Sequence, residues 1–420
     1  MSYTRLPLLL KHLAPLIMIA VGAGACAQVP APGNPSPSPA QPPATASTQT
    51  AKLLPSRDRQ LLIIGQDMGS VSAYVNSGKF PPPGGVTTYL AFYQLLNSNY
   101  PAWGALGEDR HGEPTGYDVD WGAGRLNANS AALGFRQSSL VIGLSIAEGN
   151  AGSLWAKGGL AAIGRGEHDD KIQRLAGFCK DIDKPVYLRI GYEFDGAWNR
   201  GYENSGAYIA AFRRIVDGLR RAGASKVAFV WQASASPLDD VIDAGHERIE
   251  DWYPGDDYVD WMGLSWFLRA DEGPQQAVTQ RQLADEIVGY ARARNKPVMI
   301  AESAPQGYDL EQLTRANSGP LRDGPAGQSR QQQTADQIWE EWFAPFFDYI
   351  DVNRDVIRAV AYINADWDSQ SMWRAPYRQG YWGDSRVESN PSLSARWLRQ
   401  IEDESRWLHG GPNLEAQLLR

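Results

Sequence analysis

From residue 61 onward, short runs rich in β-branched and aromatic residues alternate with longer stretches whose apolar residues recur near every third or fourth position. Eight such runs predict strands: Leu61–Asp67, Gly85–Phe92, Leu140–Glu148, Pro185–Phe194, Lys226–Ser234, Trp261–Phe267, Pro297–Ser303 and Ile357–Trp367. The intervening pattern predicts helices over Asp169–Lys180, Gly206–Ala222, Thr279–Arg294 and Ala335–Asp348, with a closing helix over Ser392–Glu404. Strands that alternate with helices in this rhythm form a parallel sheet, and eight repeats predict a single (β/α)8 TIM barrel over residues 56–420. The Gly- and Asn-rich stretch Asn97–Ser139 is expected as a long loop at one end of the barrel. A second loop, from Ser371 to Val387, is aromatic and basic and is expected at a cleft rim. An open doubly wound sheet is disfavoured, because Gly65-Gln66-Asp67-Met68-Gly69 lacks the glycine-rich phosphate pattern that follows its first strand.

Nearly every predicted strand begins apolar and ends in a polar or aromatic residue. These ends are Asp67, Glu148, Glu193, Trp231 with Gln232, Trp266, Glu302, and Asp366 with Trp367. In a parallel barrel they gather at one mouth, which is where such folds carry their chemistry.

Residues 1–27 read as an export leader, with Arg5 and Lys11 before an apolar run and small residues at the end. Ala25-Cys26-Ala27 fits a signal-peptidase site, while Ala23-Gly24-Ala25-Cys26 is similar to a bacterial lipobox. The only other cysteine is Cys179, which makes lipidation of Cys26 the favoured reading. Residues 28–55 are dominated by Pro, Ala and Ser and are expected to be an extended tether. Secretion, a periplasmic location or a lipid anchor in the bacterial envelope follows from these segments. The formal charge of −8 disfavours nucleic acid and anionic membrane as partners. A monomer is expected. The 15 Trp and 18 Tyr suit the apolar faces of sugar rings, although most such residues fill core volume in any protein.

Two carboxylates end strands that are otherwise apolar, Glu193 in VYLRIGYEF and Glu302 in PVMIAES. A charge beside buried apolar positions is costly unless it is paired or functional. Glycoside hydrolysis uses two such groups, one protonated to help the leaving oxygen depart and one to attack the anomeric carbon, about 5 to 5.5 Å apart when configuration is retained. Arg189 lies four residues before Glu193 and is expected on the same side of the strand, where a guanidinium can orient the nucleophile. Tyr192, Phe194 and Trp198 give Glu193 the less polar setting of a general acid. No H-E-x-x-H or G-x-S-x-G pattern is present, and neither a metal nor another cofactor is expected.

The stretch from Arg189 to Trp198 resembles the clan A glycoside hydrolases, which carry the acid/base after strand four and the nucleophile at the end of strand seven. Within the clan it is most similar to family 26, the β-mannanase family, over most of residues 60–370. Tyr253 to Gly263 resembles the family's lead into strand six, Pro297 to Glu302 its nucleophile strand, and Trp367 stands where clan members place an aromatic floor. The resemblance implies a retaining hydrolase of β-glycosidic bonds in a polysaccharide such as β-1,4-mannan, β-glucan or β-xylan, with Glu193 as acid/base and Glu302 as nucleophile. It departs from the family at Tyr192, where family 26 has His and most of the clan Asn, and at Phe267, where a Tyr bonding the nucleophile is common. Trp266 or Tyr308 would then supply the missing donor. Asp67, Asp195, Trp198 and Trp231 complete the expected substrate-binding set. A noncatalytic carbohydrate-binding lipoprotein and a transglycosylase or exopolysaccharide-processing enzyme are the competing readings, and the retained pair of glutamates disfavours the first.

Overall fold

A computed structural model describes residues 51–56, 59–92, 119–120, 124–146, 159–196, 198–199, 201–236, 248–272, 278–316, 330–371, 373 and 382–419. The expected leader, Cys26 and most of the tether lie outside these residues, as does Glu148. Eight parallel strands close on themselves: β1 Gln60–Gly65, β2 Gly85–Ala91, β3 Ser139–Ser145, β4 Val186–Ile190, β5 Val227–Gln232, β6 Trp261–Trp266, β7 Val298–Ser303 and β8 Ile357–Ile363. They pair in chain order, and β8 returns to β1 from Leu61↔Ala359 to Gly65↔Ile363. The fold is the predicted (β/α)8 barrel.

Period-two alternation divides the core into two layers. Leu61, Ile63, Val141, Tyr187, Val230, Trp261 and Met299 fill the barrel interior. Their strand neighbours Leu62, Ile64, Ile142, Leu188, Phe229, Leu264 and Ile300 face the helical layer. That layer includes α1 Met68–Asn76, α2 Ala128–Gly134, α3 Gly159–Arg165, α4 Asp169–Asp181, α5 Ser205–Arg221 and α6 Gln280–Ala293. The helices expected over Asp169–Lys180, Gly206–Ala222 and Thr279–Arg294 fall within one or two residues of α4, α5 and α6. The closing helix runs from Pro391 to Ile401 rather than to Glu404, and α6 starts where Thr279 and Gln282 form a reciprocal capping box.

Three expectations change. The stretch Asn97–Ser139, expected as a loop, contains α2 and a short antiparallel pairing of Val119–Asp120 with Arg125–Leu126. The run expected as one helix over Ala335–Asp348 is α7 Ala335–Ile338, a π turn Trp339–Phe343 and α8 Ala344–Val352. Pro345 has no N–H to offer the preceding turn, and a widened turn accommodates that loss. The tether also ends earlier than residue 55. Leu53 is buried in the interior cluster, its carbonyl accepts from the Tyr187 hydroxyl at 2.6 Å, and the Lys52 carbonyl accepts from Trp261 Nε1 at 2.8 Å. Residues 52–55 therefore seal the bottom of the barrel, where the short strand Trp407–Leu408 also pairs with Gln60–Leu61. The mouth is left to carry the polar strand ends.

Candidate active site

β4 delivers Arg189 inward and stops at Ile190, after which the backbone turns left-handed at Gly191 (φ 58°) and again at Glu193 (φ 50°). A Cβ at Gly191 would lie 2.7 Å from the Tyr208 ring, so close packing and conformation both call for glycine. Glu193 adopts the same region with a side chain, at a cost on the order of 1–2 kcal/mol. Asn199 holds it there, donating to the carbonyls of Tyr192 at 3.2 Å and Glu193 at 3.0 Å.

β7 brings Glu302 by a different device. Leu264 of β6 faces Ile300, but Ser265 faces Glu302, so Ala301 is an extra residue in β7. Met299 and Ala301 both pack in the interior cluster, and simple alternation would send Glu302 outward. The bulge re-aims it into the barrel.

The two carboxyls have different surroundings. Glu302 Oε1 accepts from Arg189 Nη1 at 2.5 Å. Arg189 is fully buried, with its guanidinium 5.1 Å from the ring centres of both Tyr89 and Tyr192. Gly143 on β3 leaves room for this group, since a Cβ there would lie 2.5 Å from the Tyr89 ring and 2.7 Å from Arg189 Nη2. Burial alone would weaken the guanidinium's hold on its proton, but the charge of Glu302 and the nearby Tyr89 outweigh it, and Arg189 stays firmly cationic. Glu193 Oε1 accepts from Ser265 Oγ at 2.6 Å and Oε2 from Trp198 Nε1 at 2.8 Å. Burial, reinforced by the charge of Glu302, pushes the Glu193 carboxyl up to about 8, against the opposite pull of those two donors. A protonated carboxyl thus sits at the same mouth as a second carboxyl held by a guanidinium, the asymmetry that acid-assisted displacement at an acetal carbon needs.

Gln232 and Ser265 connect the two groups. Arg189 Nη1 donates to Gln232 Oε1 at 2.9 Å, and Gln232 Nε2 donates to Ser265 Oγ at 3.1 Å. Neither Ser265 nor Tyr89 was among the expected site residues. The signal for Ser265 was a lone hydroxyl inside an apolar strand, on the same parity as Trp261 and Gly263.

The remaining expected residues are placed as follows. Trp198 is 41% exposed beside Glu193 and offers an indole face to the cleft. Tyr192 stands at the mouth, with its ring edge-on to Tyr89 at 5.4 Å. Asp195 is buried and accepts from the backbone N–H of Ser234 at 2.6 Å, which ties the loops after β4 and β5 together, and burial pushes its carboxyl up to about 6. Asp67 caps α1, accepting from the backbone N–H of Gly69 at 2.8 Å and of Ser70 at 3.1 Å. It also lines a polar cavity of about 550 Å³ with Asp366, Arg125 and Arg386. Trp367 packs on Trp382 at 4.7 Å and Trp373 at 5.2 Å, and Phe267 meets Trp382 at 5.5 Å, giving an aromatic wall next to β8.

Three residues are not brought to the site. Trp231 precedes inward-facing Gln232 and therefore points into the helical layer, stacked on Phe194 at 4.9 Å. Trp266 follows inward-facing Ser265 and packs against Tyr349 of α8 at 4.8 Å. Tyr308 turns away from Glu302, and its hydroxyl donates to Glu341 at 2.6 Å. None of them supplies the donor that Phe267 lacks.

The sequence model of glycosyl hydrolase family 26 matches residues 168–302, a span that begins just before α4 and ends on Glu302. A β-1,3-xylanase (TXYA) of a Vibrio species is 36% identical over 370 residues, covering 87% of this chain and 69% of that protein. A β-1,3-xylanase of an Alcaligenes species is 34% identical over 378 residues, covering 89% of this chain and 70% of its own. Among solved structures, an engineered protein superposes with a TM-score of 0.51 at 14% identity, covering 86% of this chain and 73% of its own, a likeness of fold alone. The barrel with its paired strand-end glutamates defines a clan A glycoside hydrolase. Within that class, this chain belongs to glycosyl hydrolase family 26.

Proposed function

We propose that the protein is a retaining endo-hydrolase of β-1,3-linked xylan, with Glu193 as acid/base and Glu302 as nucleophile. The observation that carries the roles is the asymmetry of the two carboxyls: Glu302 is paired with buried Arg189, while burial and a neighbouring negative charge raise the proton affinity of Glu193. In the first half-reaction Glu302 attacks the anomeric carbon as Glu193 protonates the departing oxygen. In the second, Glu193 takes a proton from water, which attacks the same carbon and releases Glu302. The exposed Trp198 indole, bonded to Glu193, supports a role in holding the sugar on the leaving side. Support for the linkage comes from the two β-1,3-xylanases, whose similarity extends over most of the barrel, and from Tyr192 and Phe267, which replace polar residues usual in the mannanases. The leader-like residues 1–27 and the tether support an exported enzyme, anchored through Cys26, that meets its polysaccharide outside the cytoplasm.

The test is a substrate panel of β-1,3-xylan, β-1,4-xylan, β-1,4-mannan and mixed-linkage β-glucan, with products resolved by chromatography. Oligosaccharides are expected from β-1,3-xylan. Release from mannan, with none from β-1,3-xylan, would overturn the substrate and leave the reaction class standing.

A further inference from the structure

Gln232 on β5 and Ser265 on β6 join Arg189, the partner of Glu302, to Glu193 through side-chain hydrogen bonds. Their hydrogen bonds form one directed series. Arg189 Nη1 donates to Gln232 Oε1, Gln232 Nε2 donates to Ser265 Oγ, and Ser265 Oγ donates to Glu193 Oε1, at 2.9, 3.1 and 2.6 Å. Arginine has no acceptor, so the first bond cannot reverse. The amide of Gln232 is therefore fixed with its nitrogen toward Ser265, and the serine hydrogen is left to point at Glu193. The backbone is built around this path. A Cβ at Gly263 would lie 2.9 Å from Gln232 Cβ and 3.1 Å from its Cγ, and the bulge at Ala301 sets Ser265 beside Glu302.

We propose that Gln232 and Ser265 are positioning residues that make the proton affinity of Glu193 follow the charge on Glu302, through Arg189. The proposal rests on the roles assigned to the two glutamates above. Its consequence concerns the reaction cycle. In the free enzyme, Arg189 Nη1 is shared between Glu302 and Gln232, and the carboxylate balances the guanidinium charge. When Glu302 attacks the anomeric carbon, the bond to the leaving oxygen breaks and that oxygen takes the Glu193 proton. Glu302 is then an uncharged ester. Arg189 is left unbalanced, and the series polarises more strongly toward Glu193, favouring its carboxylate when it must accept a proton from water. Attack of that water breaks the ester bond and restores the Glu302 charge.

The titratable and charged groups facing Glu193 from the surrounding elements are Glu302 on β7, Arg189 on β4, Tyr89 on β2, and Tyr192 and Asp195 on its own loop. Glu302 and Asp195 both raise its proton affinity through space. The relay is therefore separable only by comparing backgrounds. The measurement is a ¹³C NMR pH titration of the Glu193 carboxyl in protein labelled at the glutamate side-chain carboxyl, with the signal assigned by its loss in Glu193→Gln. No substrate is needed, so the outcome is independent of which polysaccharide the enzyme cleaves. Ser265→Ala is expected to raise the Glu193 midpoint by about one pH unit, the equivalent of one lost bond to a charged acceptor, and Ser265→Thr to restore it. Glu302→Gln is expected to lower the midpoint, and by clearly less when Gln232→Met is also present. An equal shift with and without Gln232 would overturn the proposal and leave the pair as packing. A Glu193 midpoint unmoved by Glu302→Gln in every background would instead overturn the pairing of the two glutamates on which it rests. Thermal unfolding of each variant identifies any that fail to fold, and Ser265→Thr, which keeps the hydroxyl, holds the test open if Ser265→Ala is among them.

Discussion

Replacing Arg189 by Met removes the cation paired with Glu302 and leaves a carboxylate 6% exposed at the barrel mouth. The charge centres of a pair joined at 2.5 Å lie about 4 Å apart, worth about 4 kcal/mol at the effective dielectric suited to such sites. Gln232 Oε1 loses its donor as well, adding about 1 kcal/mol. Relaxation of the site recovers part of this, so a loss of about 3–5 kcal/mol is expected, the range found when one partner of a buried pair is removed. Glu302→Gln alone orphans the guanidinium at a similar cost. The double variant leaves no unpaired charge and is expected to be less destabilised than the sum of the single variants by at least about 2 kcal/mol. Urea unfolding at pH 7, followed by tryptophan fluorescence with refolding checked, completes the cycle. Additivity within about 0.5 kcal/mol would refute the claim that these two side chains are energetically one unit.

Three further outcomes follow from the same geometry. Because Glu193 acts in its protonated form and burial pushes its carboxyl up to about 8, kcat/KM is expected to hold through neutral pH and fall above that value, and a fall beginning near pH 5 would contradict the burial argument. The folded carboxyl keeps its proton over a window, from its ordinary value near 4.3 to about 8, in which the unfolded chain has released it. Glu193 therefore costs the fold stability as pH rises through that window, and Glu193→Gln is expected to flatten the decline in Tm between pH 5 and 8; an unchanged slope would count against it. Trp198→Ala is expected to lower kcat/KM about 10- to 100-fold by removing both an indole face and a charge-assisted bond, with Trp198→Phe recovering part through KM, and full activity in Trp198→Ala would remove it from the site.

The eight strands were legible because each alternates or runs apolar between clear helical periods, and the strand-end glutamates because charge is rare on such strands. Two features escaped for physical reasons. Trp231 and Trp266 sit one residue from inward positions, and in a barrel that single step carries a side chain from the mouth into the helical layer. Counting parity along each strand, from Val230 and from Trp261, would have selected Gln232 and Ser265 instead. The same count applied to β7 would have failed, since only the bulge at Ala301 turns Glu302 inward, and a bulge depends on the neighbouring strand. Tyr308 illustrates another limit. Its hydroxyl was plausible as a donor to Glu302, but its partner Glu341 lies 33 residues away on the π turn, a contact set by tertiary packing.

The most direct test of the catalytic assignment is trapping with a 2-deoxy-2-fluoro-β-xylobiosyl fluoride, in which a good leaving group allows the first half-reaction and the fluorine slows the second. Peptide mapping by mass spectrometry is expected to find one glycosyl adduct, on the peptide Val298–Ser303 and at Glu302. An adduct on Glu193 or elsewhere, or no adduct while the compound is turned over to a product of inverted configuration, would contradict the account.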